Sequence, residues 1–282
     1  MAVILNGKEV AASKRAEIKA KVDSLRADVK APGLAVIIVG NNSASRVYVN
    51  NKKKACAEVG IESFEYALPE ETTQAELIAL IDKLNADKNV NGILCQLPLP
   101  GGIDETAVIN SIAPEKDVDA FHPVNVGHIM IGDFTFLPCT PAGIMEILKF
   151  YGISAAGKKC VVIGRSNIVG KPMAMLLLKD NGTVTVCHSK TADLKKETLG
   201  ADILVAAVGK AKFVTADMVK EGAVVIDVGM NRDENGKLCG DVDFSSVEKK
   251  AGFITPVPGG VGPMTITMLL ENTVRAFEQQ EA

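Results

Sequence analysis

A lysine on a semi-apolar helical face is the first residue whose placement could do chemistry. Ser45, Tyr48, Lys52 and Val59 fall near one stripe, at spacings of 3, 4 and 7. Ala55 and Cys56 flank that stripe, whereas Lys53 and Lys54 point elsewhere. Burial disfavours an ammonium and brings a lysine toward proton transfer near neutral pH. The alternative is a lysine at the helix margin, its stem packed and its head in water. Gln96 interrupts the apolar run Ile93–Leu97 near the C-terminal end of a strand, where ligands gather in open α/β sheets. A satisfied edge glutamine would read the same way. Asp117 and Asp119 alternate in the loop Glu115–Asp119. One of them suits substrate binding and the other a structural role, with a solvated charge run as the remaining reading.

A second constellation is the segment Val161–Pro172, VVIGRSNIVGKP. A buried strand delivers the chain to Gly164 and a helix starts near Gly170 or Pro172, the context that a dinucleotide site requires. Amides at the helix start can hold a pyrophosphate. The usual glycine spacing is broken: Ser166 stands at the middle position and the last glycine comes one residue late. The next strand, beginning at Thr183, ends in His188, Ser189 and Lys190 without the carboxylate that takes a ribose 2′-hydroxyl. A hydroxyl with the Arg165 guanidinium suits a 2′-phosphate instead, so NADP is expected over NAD. A surface His-Ser-Lys cluster without a ligand is the plainer alternative.

Alternating elements must position these groups. Helices are expected over Lys8–Val29, with Ile18, Val22, Leu25 and Val29 on one face, over Ser43 or Ser45 to Val59, and over Thr73–Lys88. Strands are expected at Leu34–Val39, Ile61–Leu68 and Val90–Leu97. Residues 112–140 lack clean periodicity and read as connecting and site-forming loops. A second α/β unit follows, with helices at 141–151 and 170–180 and strands at 159–164, 183–187, 202–208 and 223–228. The last helix spans roughly Pro263–Glu278. Two units built of parallel strands and crossover helices are the expected fold class.

The chain has 282 residues, 47% of them hydrophobic and 23% charged, which suits one large or two medium globular domains. Its 31 basic and 34 acidic side chains give a net charge of −3, with no broad bid for nucleic acid. Aromatics at 4% weaken a base-stacking platform. The apolar start Met1–Leu5 is too short for a signal-peptide core, and no stretch approaches a membrane span. A cytoplasmic location without a membrane partner is therefore expected. The six cysteines form no CxxC pair and the three histidines show no zinc spacing, so no metal is expected.

Seven segments in order resemble the bifunctional methylenetetrahydrofolate dehydrogenase/methenyltetrahydrofolate cyclohydrolase family, over essentially the whole chain. They are SRVYVNNK at Ser45–Lys52, QLPLP at Gln96–Pro100, PEKDVD at Pro114–Asp119, PCTP at Pro138–Pro141, VIGRSNIVG at Val162–Gly170, CHSKT at Cys187–Thr191 and TPVPGGVGPMT at Thr255–Thr265. The resemblance implies a catalytic group of Lys52, Tyr48, Gln96 and Asp119. It implies a folate site of those residues with Leu97, Pro98, Pro258, Gly259, Gly262, Pro263 and Thr265. Cofactor positions fall on Gly164, Arg165, Ser166, Ser189 and Met230, where the family often has isoleucine. The implied domains are a folate-binding catalytic domain at 1–139, a Rossmann-like NADP-binding domain at 140–264 and a C-terminal helix, 265–282, returning to the first. A homodimer that handles tetrahydrofolate derivatives and serves purine biosynthesis is implied as well.

The implied chemistry is oxidation of 5,10-methylenetetrahydrofolate to the 5,10-methenyl cation, then hydrolysis to 10-formyltetrahydrofolate. The hydride step needs alignment more than acid–base help. Hydrolysis needs a group that takes a proton from water, and Lys52 is the candidate. The nearest rival is a shikimate-dehydrogenase-like enzyme, and the rival from another class is a non-catalytic NADP-sensing or scaffolding protein.

Overall fold

The structure is a computed structural model and describes residues 1–25 and 30–281. Val29, the last residue of the first helical stripe, lies outside the described residues. In chain order the early elements are β1 (Val3–Ile4), α1 (Gly7–Leu25), β2 (Gly33–Val39), α2 (Ser43–Val59), β3 (Glu62–Leu68), α3 (Gln74–Ala86), β4 (Gly92–Cys95), α4 (Glu105–Ser111) and α5 (Pro123–Ile131). There follow α6 (Cys139–Phe150), β5 (Lys159–Ile163), α7 (Gly170–Lys179), β6 (Thr183–Cys187), α8 (Leu194–Leu199), β7 (Ile203–Ala206) and β8 (Val224–Asp227). The chain ends through β9 (Asn231–Arg232), β10 (Leu238–Cys239), α9 (Phe244–Val247), β11 (Phe253–Ile254) and α10 (Val261–Glu281).

Two compact bodies result. One comprises Ser13–Cys139 and the chain from Ile266 onward. Its sheet has strand order β3-β2-β4, all parallel. Every residue of β2 and β4 is buried, as expected of parallel strands covered on both faces. Leu77, Ile81 and Leu84 of α3 pack on Ala35, Ile37 and Ile93. The later part of α10 lies along α1: Arg15 Nε donates to Thr267 Oγ1 at 3.0 Å, and the Lys21 and Glu278 side chains pair at 2.7 Å.

The other body comprises Met1–Ala12 and Thr140–Thr265. Its sheet is six-stranded and parallel, in the order β1-β11-β8-β7-β5-β6. The family resemblance implies one domain at 1–139, whereas Met1–Ala12 belong with this second body. The reason is backbone pairing: Val3 and Ile4 stand in register with Phe253 and Ile254. A two-residue strand leaves no periodic signal to read. The chain runs from β5 to β6 on one side, then returns to place β7 on the other side of β5. That reversal is a topological switch point, and ligand crevices open outside the carboxyl ends of the strands there.

The expectation of loops throughout 112–140 is corrected at α5. Pro123 presets the first turn, the His122 side chain accepts from Val124 N, and Gly132 ends the helix in the left-handed region. These signals were present, but nine residues with Gly127 in the middle gave too short a pattern.

The clearest local determinant is the start of α3. Thr73 Oγ1 accepts from Glu76 N at 3.3 Å, and Glu76 Oε2 accepts from Thr73 N at 2.9 Å, a reciprocal capping box. Thr73→Ala should cost about 1 kcal/mol of stability, read as a lower urea midpoint, with catalytic rates unchanged.

Candidate active site

Lys52 is held by its helix. Asn42 caps α2 by accepting from Ser45 N at 3.0 Å, and Gly60 closes it at φ +85°. Val49, Ala55, Cys56 and Val59 form the buried face, and Lys52 shares it at 9% exposure. Its Nζ donates to Gln96 Oε1 at 2.9 Å. Gln96 follows β4 at its carboxyl end, anchored by its own N–H to Ile37 O at 2.9 Å. Its Nε2 donates to Leu97 O at 2.7 Å, which turns the amide oxygen toward the lysine. Burial lowers the Lys52 pKa, while the Asp119 charge pulls it back up. Of the two readings of Lys52, the structure supports the buried one.

Asp119 reaches the same group through close backbone packing. A Cβ on Gly92 would lie 2.6 Å from Val118 Cγ1, so glycine lets the segment bearing Asp119 lie against β4. Asp117 bridges to Ile93. Its Oδ2 accepts from His122 N and Asn125 Nδ2, both at 2.8 Å, so this carboxylate is spent on its own loop. Asp119 instead faces Lys52 electrostatically and meets Cys139 Sγ at 3.7 Å. Burial pushes its carboxyl up to about 6, against the pull of the Lys52 charge. The same burial drives the Cys139 thiol well above its usual range.

Tyr48 sits one turn before Lys52 on α2, half-buried, and burial raises its phenol pKa. Leu97 and Pro98 follow Gln96 directly, across a cis peptide bond, with Pro98 exposed. Lys52, Tyr48, Gln96, Leu97, Pro98 and Asp119 thus belong to one body. Pro258, Gly259, Gly262, Pro263 and Thr265 belong to the other. There Thr265 Oγ1 lies 3.0 Å from Thr140 Oγ1, and Pro258 follows a second cis bond.

The glycine turn lies at the switch point. Gly164 has φ +122°, and a Cβ there would meet Ala207 O at 2.2 Å, so the turn is cut to admit only glycine. Ser166 Oγ accepts from Val169 N at 3.2 Å and Gly170 N at 3.3 Å, shaping the entry to α7. Arg165, Ser166, Ser189 and Met230 are all exposed. A tight glycine turn, a guanidinium and hydroxyls at the carboxyl ends of β5 and β6 fit a dinucleotide with an extra phosphate.

Sequence reasoning passed over several buried polar groups. Asn272 of α10 donates through Nδ2 to Val118 O at 2.8 Å and Leu137 O at 2.9 Å, gripping both sides of the Asp119 loop. In the nucleotide body, Asp227 accepts from Gly229, Asp241 and Val242 N–H groups, and burial pushes its carboxyl up to about 6. Asp241 is fully buried as well. The available signal for Asn272 was its place on the helical face of Met268, Leu269 and Ala276. Asp227, a carboxylate ending the apolar run of β8, gave a similar signal, whereas Asp241 sits in turn-like sequence that gives none. Among the described residues no group of His, Cys, Asp and Glu could hold a metal ion, and no helix is long and apolar enough to cross a membrane.

Comparison with known proteins places these features. Residues 5–119 match the catalytic domain of tetrahydrofolate dehydrogenase/cyclohydrolase, and residues 138–281 match its NAD(P)-binding domain. The chain is 64% identical to the bifunctional protein FolD of Acetivibrio thermocellus, over 99% of this chain and 98% of that protein. The crystal structure of the FolD dehydrogenase/cyclohydrolase from Campylobacter jejuni is 52% identical, covers 99% of both chains and superposes with a TM-score of 0.97. The Trypanosoma brucei enzyme, solved with NADP cofactor and inhibitor, is 41% identical with a TM-score of 0.94, over 99% of this chain and 98% of that one. A shikimate dehydrogenase from Thermus thermophilus is 15% identical at a TM-score of 0.53, a likeness of fold alone.

The Asp119 carboxyl has a pH signature. Its folded-state pKa, about 6, lies above the ordinary value near 4 of an unfolded chain. The folded state therefore holds this proton longer. The resulting stability is full below the unfolded value and is lost as pH rises through about 6. Asp119→Asn should thus gain stability relative to the parent as pH is raised from about 4 to 7. Urea midpoints across that range test it, and a difference independent of pH would contradict it.

Proposed function

The chain belongs to the tetrahydrofolate dehydrogenase/cyclohydrolase family, and from that premise we propose that a single site built around Lys52 serves both of its reactions. The activity is oxidation of 5,10-methylenetetrahydrofolate to 5,10-methenyltetrahydrofolate, followed by hydrolysis to 10-formyltetrahydrofolate. The observation that carries the site assignment is the buried Lys52 amine, 2.9 Å from Gln96 Oε1. A neutral amine can donate one N–H to Gln96 and still present its lone pair to a water.

NADP supplies the hydride acceptor when bound. Gly164 admits the close backbone approach of its pyrophosphate, Arg165 and Ser189 hold its 2′-phosphate, and Ser166 and Met230 complete its seat. Asp119 accepts the pterin N–H groups, Tyr48 packs along the folate, and Leu97 and Pro98 complete the substrate contacts of this body. In hydrolysis, water adds to the methenyl carbon as Lys52 takes one of its protons. The carbon–N5 bond then breaks, N5 receives the proton from Lys52, and the hydroxyl proton is released to bulk water as the formyl carbonyl forms. Gln96 holds the amine in line throughout. The wider reading is a cytoplasmic homodimer whose 10-formyl product serves purine biosynthesis. It rests on family membership.

Lys52→Gln should lose roughly 10²–10⁴-fold in hydrolysis of the methenyl cation, while hydride transfer survives in part. The two steps are measured separately, following the methenyl chromophore and NADPH. Equal hydrolysis by parent and variant would remove Lys52 from the proton-transfer role. The cofactor assignment has its own check. NADP should exceed NAD in kcat/KM, and Arg165→Ala should erode that preference by roughly 1.5–3 kcal/mol, the worth of a hydrogen bond to a charged group.

A further inference from the structure

The loop after β7, residues 207–210, forms the second wall of the switch-point crevice. β7 neighbours β5 in the sheet, and Ala207 N donates to Ile163 O at 2.8 Å. Ala207 O in turn lies against Gly164, so this loop and the glycine turn stand side by side at the carboxyl ends of adjacent strands. The loop has no regular structure to stiffen it, and Gly209 and Lys210 are exposed. Its shape is set from beneath by one side chain. Asp241 Oδ2 accepts from Val208 N at 2.6 Å and Gly209 N at 3.0 Å, while Oδ1 accepts from Lys210 N at 2.8 Å. Oδ1 also accepts from Asn231 Nδ2 at 2.9 Å, the residue after Met230.

We infer that Asp241 is a positioning residue for NADP: its buried carboxylate fixes the 207–210 loop and the Met230–Asn231 segment as two walls of the dinucleotide crevice. The inference rests on the assignment of the cofactor to the Gly164 turn. Four donors converge on two oxygens, an arrangement that an ionised carboxylate satisfies and an amide cannot. In Asp241→Asn one oxygen becomes an NH₂ group facing N–H donors, and the loop must move. Asp241 is itself held by its N–H to Asp227 Oδ1 at 2.8 Å, so the carboxylate approaches from a rigid base. A displaced wall leaves polar groups of the dinucleotide imperfectly paired, which weakens binding. Lys52, Gln96 and Asp119 belong to the other body and take no part in this network.

The test separates positioning from folding. NADP affinity of the full chain is measured by calorimetry, and hydrolysis of methenyltetrahydrofolate is measured without nucleotide. Asp241→Asn should raise the Kd for NADP roughly tenfold, the loss of about one hydrogen bond, with hydrolysis unchanged. Asn231→Ala, which removes one of the four donors, should raise it by a smaller factor. Unchanged NADP affinity in a folded Asp241→Asn protein overturns the inference, as does a parallel loss of binding and hydrolysis. If Asp241→Asn does not fold, unchanged affinity in Asn231→Ala overturns it. Arg165→Ala is the control for the underlying assignment. If that variant binds NADP normally, the cofactor placement fails. If it binds weakly and both clasp variants bind normally, the placement stands and the positioning role of Asp241 falls.

Discussion

A lysine amine removed from water is stable only where something accepts its proton-bearing side and something else offsets its charge. Much of the catalytic body is arranged around that requirement for Lys52. The acceptor is Gln96, which must stand at the carboxyl end of β4 with its amide turned by Leu97 O. The counter-charge is Asp119, which comes within influence because Gly92 lets Val118 close on the strand and because Asp117 ties down the rest of the loop. Asn272, arriving from the far end of the chain, holds the backbone on both sides. Each partner carries its own cost. Burial pushes the Asp119 carboxyl up to about 6 and the Lys52 amine down, and the charge of each opposes that shift in the other.

The nucleotide body solves a different problem with the same chemistry. Parallel strands end in loops whose N–H groups have no ladder to join. Around β7 and β8 two buried aspartates gather those amides, leaving the outer surface of the loops free for contact. A carboxylate accepts more hydrogen bonds than any neutral side chain and fits where several backbone donors point inward.

Much of this could be read from residue patterns. The apolar run of β2 announced a strand covered on both faces, the runs of β5, β7 and β8 announced a parallel sheet, and the stripe through Tyr48 and Lys52 left a buried lysine and a marginal one both open. The choice between Asp117 and Asp119 could not be read, because it depends on which carboxylate His122 N and Asn125 reach. Likewise β1 was invisible, since two residues gain strand character only from their partners. Asn272 and Asp241 act through backbone atoms distant in sequence, and no local pattern encodes a carbonyl or amide that comes from elsewhere in the chain. Family resemblance supplied the candidate residues, whereas the supporting groups emerged from geometry.

The pairing of β1 with β11 bears on how the protein is made. Val3 must find Phe253, which is synthesised 250 residues later. At about 5–20 residues per second, that gap lasts on the order of 10–50 s. The other body is completed as late, because Arg15 and Lys21 wait for Thr267 and Glu278 of α10. Neither sheet-and-helix unit can therefore close while the ribosome is still midway through the message. The nascent chain carries β2–β4 and then β5–β8, with β8 an open edge until β11 is made.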